Sequence, residues 1–301
     1  MLYIQRQKNT IESQAEEFWD WCINVRNYTN ATMVHYKEDI QLFIRSGISN
    51  DGKKITNQQI DQFMSLLKTG KLTGMVNVGV SINSRVKTIK SFLRWLRDEK
   101  EEKIKCKLHA ITRMEEADPR RKSFSRDEIE RVIQLATLKE KLMVLIMFDS
   151  GARISELQKL HTSQIVKYGD TVAFNIIGKK RKRGFLHLTE ATSKLLWQYL
   201  TKYGITGYIF TSKRSYGQPY RVTSLRRILG SLFSRAGVED FNPHDLRRSF
   251  AVDVYNTSNY DIYLTSKLLR HSDIRTTQIY LTGLDNSISE RYQAIKKPLT
   301  F

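Results

Sequence analysis

Along most of this 301-residue chain apolar residues return every three or four positions, a period that only helices satisfy. In the first hundred residues it runs through AEEFWDWCINV, TMVHYKEDIQLFI and ITNQQIDQFMSLL, the second and third closed by Gly47 and Gly70. A fourth helix, SINSRVKTIKSFLRWLRDE, carries Ile82, Val86, Ile89, Phe92 and Leu96 on one side. Its other side shows Arg85, Lys87, Lys90, Arg94 and Arg97. Between residues 100 and 124 the period fades into a charged stretch holding Pro119, which reads as a linker. A capping box of Ser125 and Glu128 then opens a second helical run, with helices expected at about 126–136 and 139–149. The period changes to two in one place, where TVAFNIIG and FLHL flank the basic loop KKRKR between Gly178 and Gly184, a β-hairpin. TEATSKLLWQYLTKYG and TSLRRILGSLFSRAG return to the helical pattern. The expected fold is mostly α: an all-helical domain over 1–110, a linker over 111–123, and a mixed α/β domain over 124–301 with a small antiparallel sheet.

A net charge of +19 calls for a polyanionic partner, and counterion release makes nucleic acid the leading candidate. The excess sits in the second part, where residues 120–301 hold 31 Lys and Arg against 16 Asp and Glu. No apolar run is long enough to span a bilayer and MLYIQRQKNTIESQ lacks the apolar core of a signal peptide, so a cytoplasmic, nucleoid-associated protein without membrane contact is expected. Two cysteines, Cys22 and Cys106, build neither a disulfide framework nor a Cys-rich metal site.

Four stretches are able to carry chemistry. In NPHDLRRSF, residues 242–250, Asn242 is a preferred N-cap and Pro243 suits the first helical position. His244 and Arg247 then fall three apart on one face of the opening turns, where free N–H groups and the dipole favour an anion. DSGARISELQKL, residues 149–160, repeats the design: Ile154, Leu157 and Leu160 face inward, Arg153 projects from the helix start, and Glu156 either steadies it or is solvated. The hairpin loop GKKRKRG suits a DNA groove, and a lysine on a rigid hairpin is also able to protonate a leaving oxygen. Sequence does not choose among Lys179, Lys180 and Lys182.

The fourth stretch is HSDIRTTQIY, residues 271–280. One continuous helix would set His271 and Tyr280 on opposite faces, about 13 Å apart along the axis. Ser272 and Asp273 are good N-caps, so a turn after His271 and a short helix carrying Tyr280 are expected to bring the two together. Taken singly, each stretch has a plain reading as surface cation, exposed pair or half-buried aromatic.

Taken in order, GARISEL, the lysine after IIG, HDLRRSFA and RHSDIRTTQIY closely resemble the tyrosine recombinases, also called phage integrases, and particularly their short Xer-like members. Residues 1–110 resemble the family's helical core-binding domain, and the resemblance implies a C-shaped clamp of two domains on DNA. It implies that Tyr280 attacks a DNA phosphate, becomes joined to its 3′ side and releases a 5′ hydroxyl. Arg153 and Arg247 would hold the non-bridging oxygens, Lys179 would protonate the 5′ oxygen, and His244 and His271 would complete the pocket. His244 would take the tyrosine proton. Two permanently charged guanidiniums supply the positive field that metal ions provide in other phosphoryl-transfer enzymes, so no metal, ATP or other cofactor is implied.

Arg85, Lys87, Lys90 and Arg94, with Lys180, Arg181 and Lys182 of the hairpin, are the expected DNA contacts. The partner implied is double-stranded DNA with inverted-repeat core sites. A homotetramer, or a heterotetramer with a paralogue, would bind two such sites for integration and excision or for dimer resolution. The tail at 284–301, with Ile288, Tyr292 and Ile295 in helical spacing, would dock into a neighbouring protomer. The first core-type helix begins within about fifteen residues of the start, so simple core sites without arm-site contacts are expected. The alternatives are a catalytically silent DNA-binding or architectural protein and a relaxing type IB-like topoisomerase. One position departs from the family: a glycine usually precedes the last histidine, and here Arg270 does, expected either to crowd the turn or to add a phosphate contact.

Overall fold

The computed structural model describes residues 10–77, 79–111, 114, 123–177, 183–212 and 217–281. It divides into two compact units, Met1–Pro119 and Arg120–Phe301. The hairpin loop 178–182 and the tail beyond 281 lie outside the described residues.

In the first unit, helices α1 (Ile11–Asn24), α2 (Asn30–Arg45), α3 (Asn57–Lys68) and α4 (Gly79–Asp98) follow the four apolar-periodic segments. Threonines start three of them: the side chains of Thr10, Thr29 and Thr56 accept from the backbone N–H three residues on, and Gln59 returns the bond to Thr56 at 2.9 Å. Gly47 and Gly70 take positive φ, 66° and 76°, just beyond the ends of α2 and α3. Phe18, Phe43, Phe63 and Phe92 are buried in one core, and Cys106, Leu108 and Ile111 extend it past α4. Two described carboxylates are buried in this unit: Asp51, which accepts from Gln14 at 2.9 Å, and Asp39, which accepts from Thr88 at 2.7 Å and from Arg85 at 3.2 Å.

The second unit opens as its capping box requires, Ser125 and Glu128 exchanging backbone bonds ahead of α5 (Arg126–Gln134). Helix α6 (Leu138–Ser150) is the centre of this unit. Its Leu142, Met143, Val144, Ile146 and Met147 are all fully buried, which is why it lacks an apolar stripe with a polar back. After α7 (Ile154–Gln158) comes an antiparallel sheet in the order β1 (Ile165–Tyr168), β2 (Thr171–Ile177), β3 (Arg183–His187). The predicted hairpin is β2–β3, in register from Ala173 opposite His187 to Ile177 opposite Arg183. Strand β1 is an addition that the sequence pattern did not show: four residues long, with no fully buried position, it carries no alternation to read. Helices α8 (Glu190–Tyr203), α9 (Val222–Arg235), α10 (Pro243–Thr257), α11 (Ile262–Leu268) and α12 (Ile274–Leu281) complete the described chain. No described helix is long and apolar enough to cross a membrane.

Candidate active site

The site is built around the break between α6 and α7. Gly151 ends α6 at a φ of 58°, and a Cβ there would lie 2.5 Å from Phe250 Cδ1 of α10, so only glycine fits. The turn leaves the Gly151 carbonyl pointing at two arginines, accepting from Arg247 Nη1 and, at 3.4 Å, from Arg270 Nη2. Two residues on, Arg153 is the N-cap of α7. Its backbone N–H donates to Glu156 Oε2 at 2.8 Å and its Nη1 pairs with Glu156 Oε1 at 2.7 Å. The Arg153 side chain stays 34% exposed beside an open cleft of about 540 Å³ lined by Ser155, Glu156, Lys159, Ile176 and Ile177.

Asn242 caps α10 as expected, accepting from the His244 N–H at 3.0 Å, with Pro243 next. The pair on this helix start then separates: His244 is exposed, whereas Arg247 is 1% exposed, the largest fully buried side chain among the described residues. The reason is bonding. Beyond Gly151, Arg247 Nη2 donates to the Leu269 carbonyl at 2.6 Å and to His271 Nε2 at 3.0 Å, while Nε is buried without an acceptor. Burial, then repulsion from Arg153 and Arg270, lowers the Arg247 guanidinium to about 10, still charged at neutral pH.

His271 follows the turn at Arg270 and precedes α12, which is the break its spacing from Tyr280 demanded. Because Arg247 only donates, His271 Nε2 accepts, the ring proton sits on Nδ1, and Thr277 Oγ1 receives it at 2.8 Å. Burial, followed by the fields of Arg247, Arg153 and Arg270, pushes the imidazole down to about 4, so it is neutral in this pocket at physiological pH. Tyr280, half-buried on Phe250, Ala251 and Leu269, lies with its ring centroid 5.5 Å from that of His271. His244 is held below its ordinary value by partial desolvation and by Arg247, Arg153 and Arg226, so it stands in the same positive field.

The structure therefore brings Arg153, Arg247, His271 and Tyr280 together around Gly151, with His244 at the start of α10. Lys179, Lys180, Arg181 and Lys182 lie outside the described residues, between the ends of β2 and β3. Of the basic face of α4, Lys87 and Arg94 are exposed and Lys90 is half-buried, while Arg85 is turned onto Asp39.

Thr277 escaped the sequence reading, Glu156 takes the steadying one of its two readings, and Arg270 takes neither of its two. Glu156 is not solvated: it joins Arg153 to Arg270, and although burial alone would raise its carboxyl, the two guanidiniums and the Arg153 N–H hold it below the usual carboxylate range. Its spacing from Arg153, the N-cap to N3 interval, was the available signal. Thr277, fully buried, shares the Tyr280 face of α12 by its i,i+3 spacing. Arg270 neither crowds the turn nor extends outward, because its side chain folds back onto the carbonyls of Ser150, Gly151, Phe185 and Leu268.

Residues 122–286 match the phage integrase family. The chain belongs to it. A tyrosine recombinase of Thermosipho africanus is 26% identical over 296 residues, 94% of this chain and 98% of the relative. The tyrosine recombinase XerC of Lactobacillus delbrueckii subsp. bulgaricus is 24% identical over 285 residues, 88% of this chain and 92% of that one. The same fold appears in the XerH site-specific recombinase bound to palindromic difH substrate in a post-cleavage complex. That likeness has a TM-score of 0.73 at 18% identity, covering 93% of this chain and 84% of that one. It appears again in a lambda integrase tetramer bound to a Holliday junction, TM-score 0.67 at 20% identity, covering 88% and 78%. This is a member of the site-specific DNA strand-exchange enzymes, mostly helical with a small antiparallel sheet.

Proposed function

We propose that Tyr280 is the nucleophile of a site-specific recombinase that cleaves and rejoins double-stranded DNA through a 3′-phosphotyrosine. Its oxygen attacks phosphorus, the bond from phosphorus to the 5′ oxygen breaks, and the 5′ strand leaves as a hydroxyl. Arg153 and Arg247 hold the non-bridging oxygens; the buried Arg247 N–H groups not taken by carbonyls are the ones a phosphate would use. His244 takes the phenolic proton, since a phenol near ~10 is a poor nucleophile until deprotonated. Neutral His271 orients Arg247, and the hairpin lysine, Lys179 in the family pattern, gives its proton to the leaving oxygen.

The observation that carries this reading is the meeting at His271: 3.0 Å to the buried Arg247 on one side, and a ring contact with Tyr280 on the other. The covalent link conserves the phosphate bond energy, so a 5′ hydroxyl from a second site reverses the step on a new partner. That requires two DNA sites and, by the likeness to tetrameric neighbours, four protomers on inverted repeats, acting where the chromosome lies. Lys87, Lys90, Arg94 and the hairpin cations supply phosphate contacts.

The test uses a nicked suicide duplex carrying a site that the protein has selected from a random pool, in EDTA. Wild type should accumulate a covalent adduct and Tyr280→Phe should bind without one. Tight binding by wild type with no adduct would favour the catalytically silent reading.

A further inference from the structure

Two departures from ordinary residue choice face one another in this site. Arg270 holds a φ of 58°, a conformation that suits glycine, and Gly184 of β3 sits where a Cβ would lie 2.7 Å from Arg270 Cδ. The turn throws the arginine back under the sheet, and the absent Cβ makes room for its stem. There both terminal nitrogens of the guanidinium are taken up by protein. Nη1 donates to the carbonyls of Leu268 at 2.8 Å, Ser150 at 3.2 Å and Phe185 at 3.3 Å. Nη2 donates to Gly151 and, at 3.1 Å, to Glu156 Oε2. The side chain is 14% exposed, and its Nε is buried without an acceptor. A direct phosphate contact is not what this geometry offers.

We infer that Arg270 is a positioning residue that ties strand β3, and with it the lysine-bearing hairpin, to the Gly151 carbonyl and to the carboxylate that holds Arg153. Four elements meet at this one cation: the end of α6 through Ser150 and its cap Gly151, α7 through Glu156, β3 through Phe185, and the end of α11 through Leu268. Arg270 thereby fixes β3, the strand that follows the hairpin lysines in sequence, against the arginines that would hold the phosphate. The inference rests on the roles proposed above for Arg153 and the hairpin lysine. A glycine at 270 would keep the turn but release β3 from the pocket.

Single-turnover cleavage of the nicked duplex at saturating protein, with DNA affinity measured in parallel, tests it in Arg270→Gly, Arg270→Lys, Gly184→Ala and the Gly184→Ala/Arg270→Gly double variant. Arg270→Gly should cleave about tenfold to a hundredfold more slowly with little change in DNA affinity, as expected for misplaced rather than missing groups. Arg270→Lys should recover part of the rate. Gly184→Ala should reproduce the loss by displacing the arginine stem, and should add nothing in the Arg270→Gly background, where that stem is gone. A 5′-bridging phosphorothiolate, whose sulfur leaves without a proton, should close most of the gap for Arg270→Gly, which a general loss of stability would not allow. Wild-type rates in Arg270→Gly, losses from the two substitutions that multiply, or no recovery with the sulfur substrate would each overturn the inference. If Arg270→Gly fails to fold, Gly184→Ala decides in the same assays. A wild-type protein that forms no Tyr280 adduct fails at the earlier step and overturns the recombinase reading itself.

Discussion

The proton on His271 is placed by its neighbours, and that placement has a consequence for pH. The imidazole titrates near 4 in the folded protein and near 6.5 in an unfolded chain, so between those values the unfolded chain binds a proton that the folded one refuses. Stability should fall as pH drops through that window, by about 2 kcal/mol once the roughly 3 kcal/mol of the full shift is discounted for solvent screening of a half-buried ring, and His271→Gln should flatten the corresponding part of a plot of urea midpoint against pH. His244 shifts the same way and adds to that loss. Arg247→Ala should cost about 3 kcal/mol on urea denaturation besides abolishing cleavage, because it takes the Arg247 donor from the Leu269 carbonyl and leaves the Gly151 carbonyl only the 3.4 Å bond from Arg270. At 270 the backbone alone favours glycine, so Arg270→Gly should be more stable than Arg270→Ala by about 1 kcal/mol in the same measurement. Residue spacing made the His271 and Tyr280 meeting legible, since Ser272 and Asp273 announce a turn. It marked Arg270 only as standing where the family has glycine; the direction of its side chain follows from the positive φ of the folded turn and was not legible.

Helix starts were the most legible elements because each capping bond is made within four residues. Ser125 with Glu128, Thr137 with Glu140 and Asn242 with Asp245 all form their reciprocal boxes, and Ser125→Ala should lower the melting temperature of its unit in keeping with about 1 kcal/mol. The helix end at Gly151 is less forgiving. Gly151→Ala combines a φ of 58° with a contact of 2.5 Å to Phe250 and moves the carbonyl that two arginines share, so it should cost stability and cleavage together. Strand β1 stayed hidden for the opposite reason: its partner is Thr171–Ile177, and nothing in IVKY by itself distinguishes a four-residue edge strand from a loop.

At the scale of the molecule, apolar burial among the described residues separates into cores that lie each within one unit, the first running to Met114 and those of the second beginning at Phe124. The helical period fades after residue 100, yet the chain up to Ile111 still belongs to the first core through Cys106 and Leu108. Calorimetry should therefore show a total unfolding enthalpy above the van't Hoff value, and one transition should match that of residues 120–301 expressed alone. The charge concentrated in that second unit should make DNA affinity fall steeply with salt. All of this serves one bond between a tyrosine oxygen and a DNA phosphate. Mass spectrometry of the protease- and nuclease-digested adduct from the nicked duplex should find the nucleotide, linked through its 3′ phosphate, on the peptide containing Tyr280. A nucleotide on any other residue, or joined through a 5′ phosphate, would contradict the mechanism.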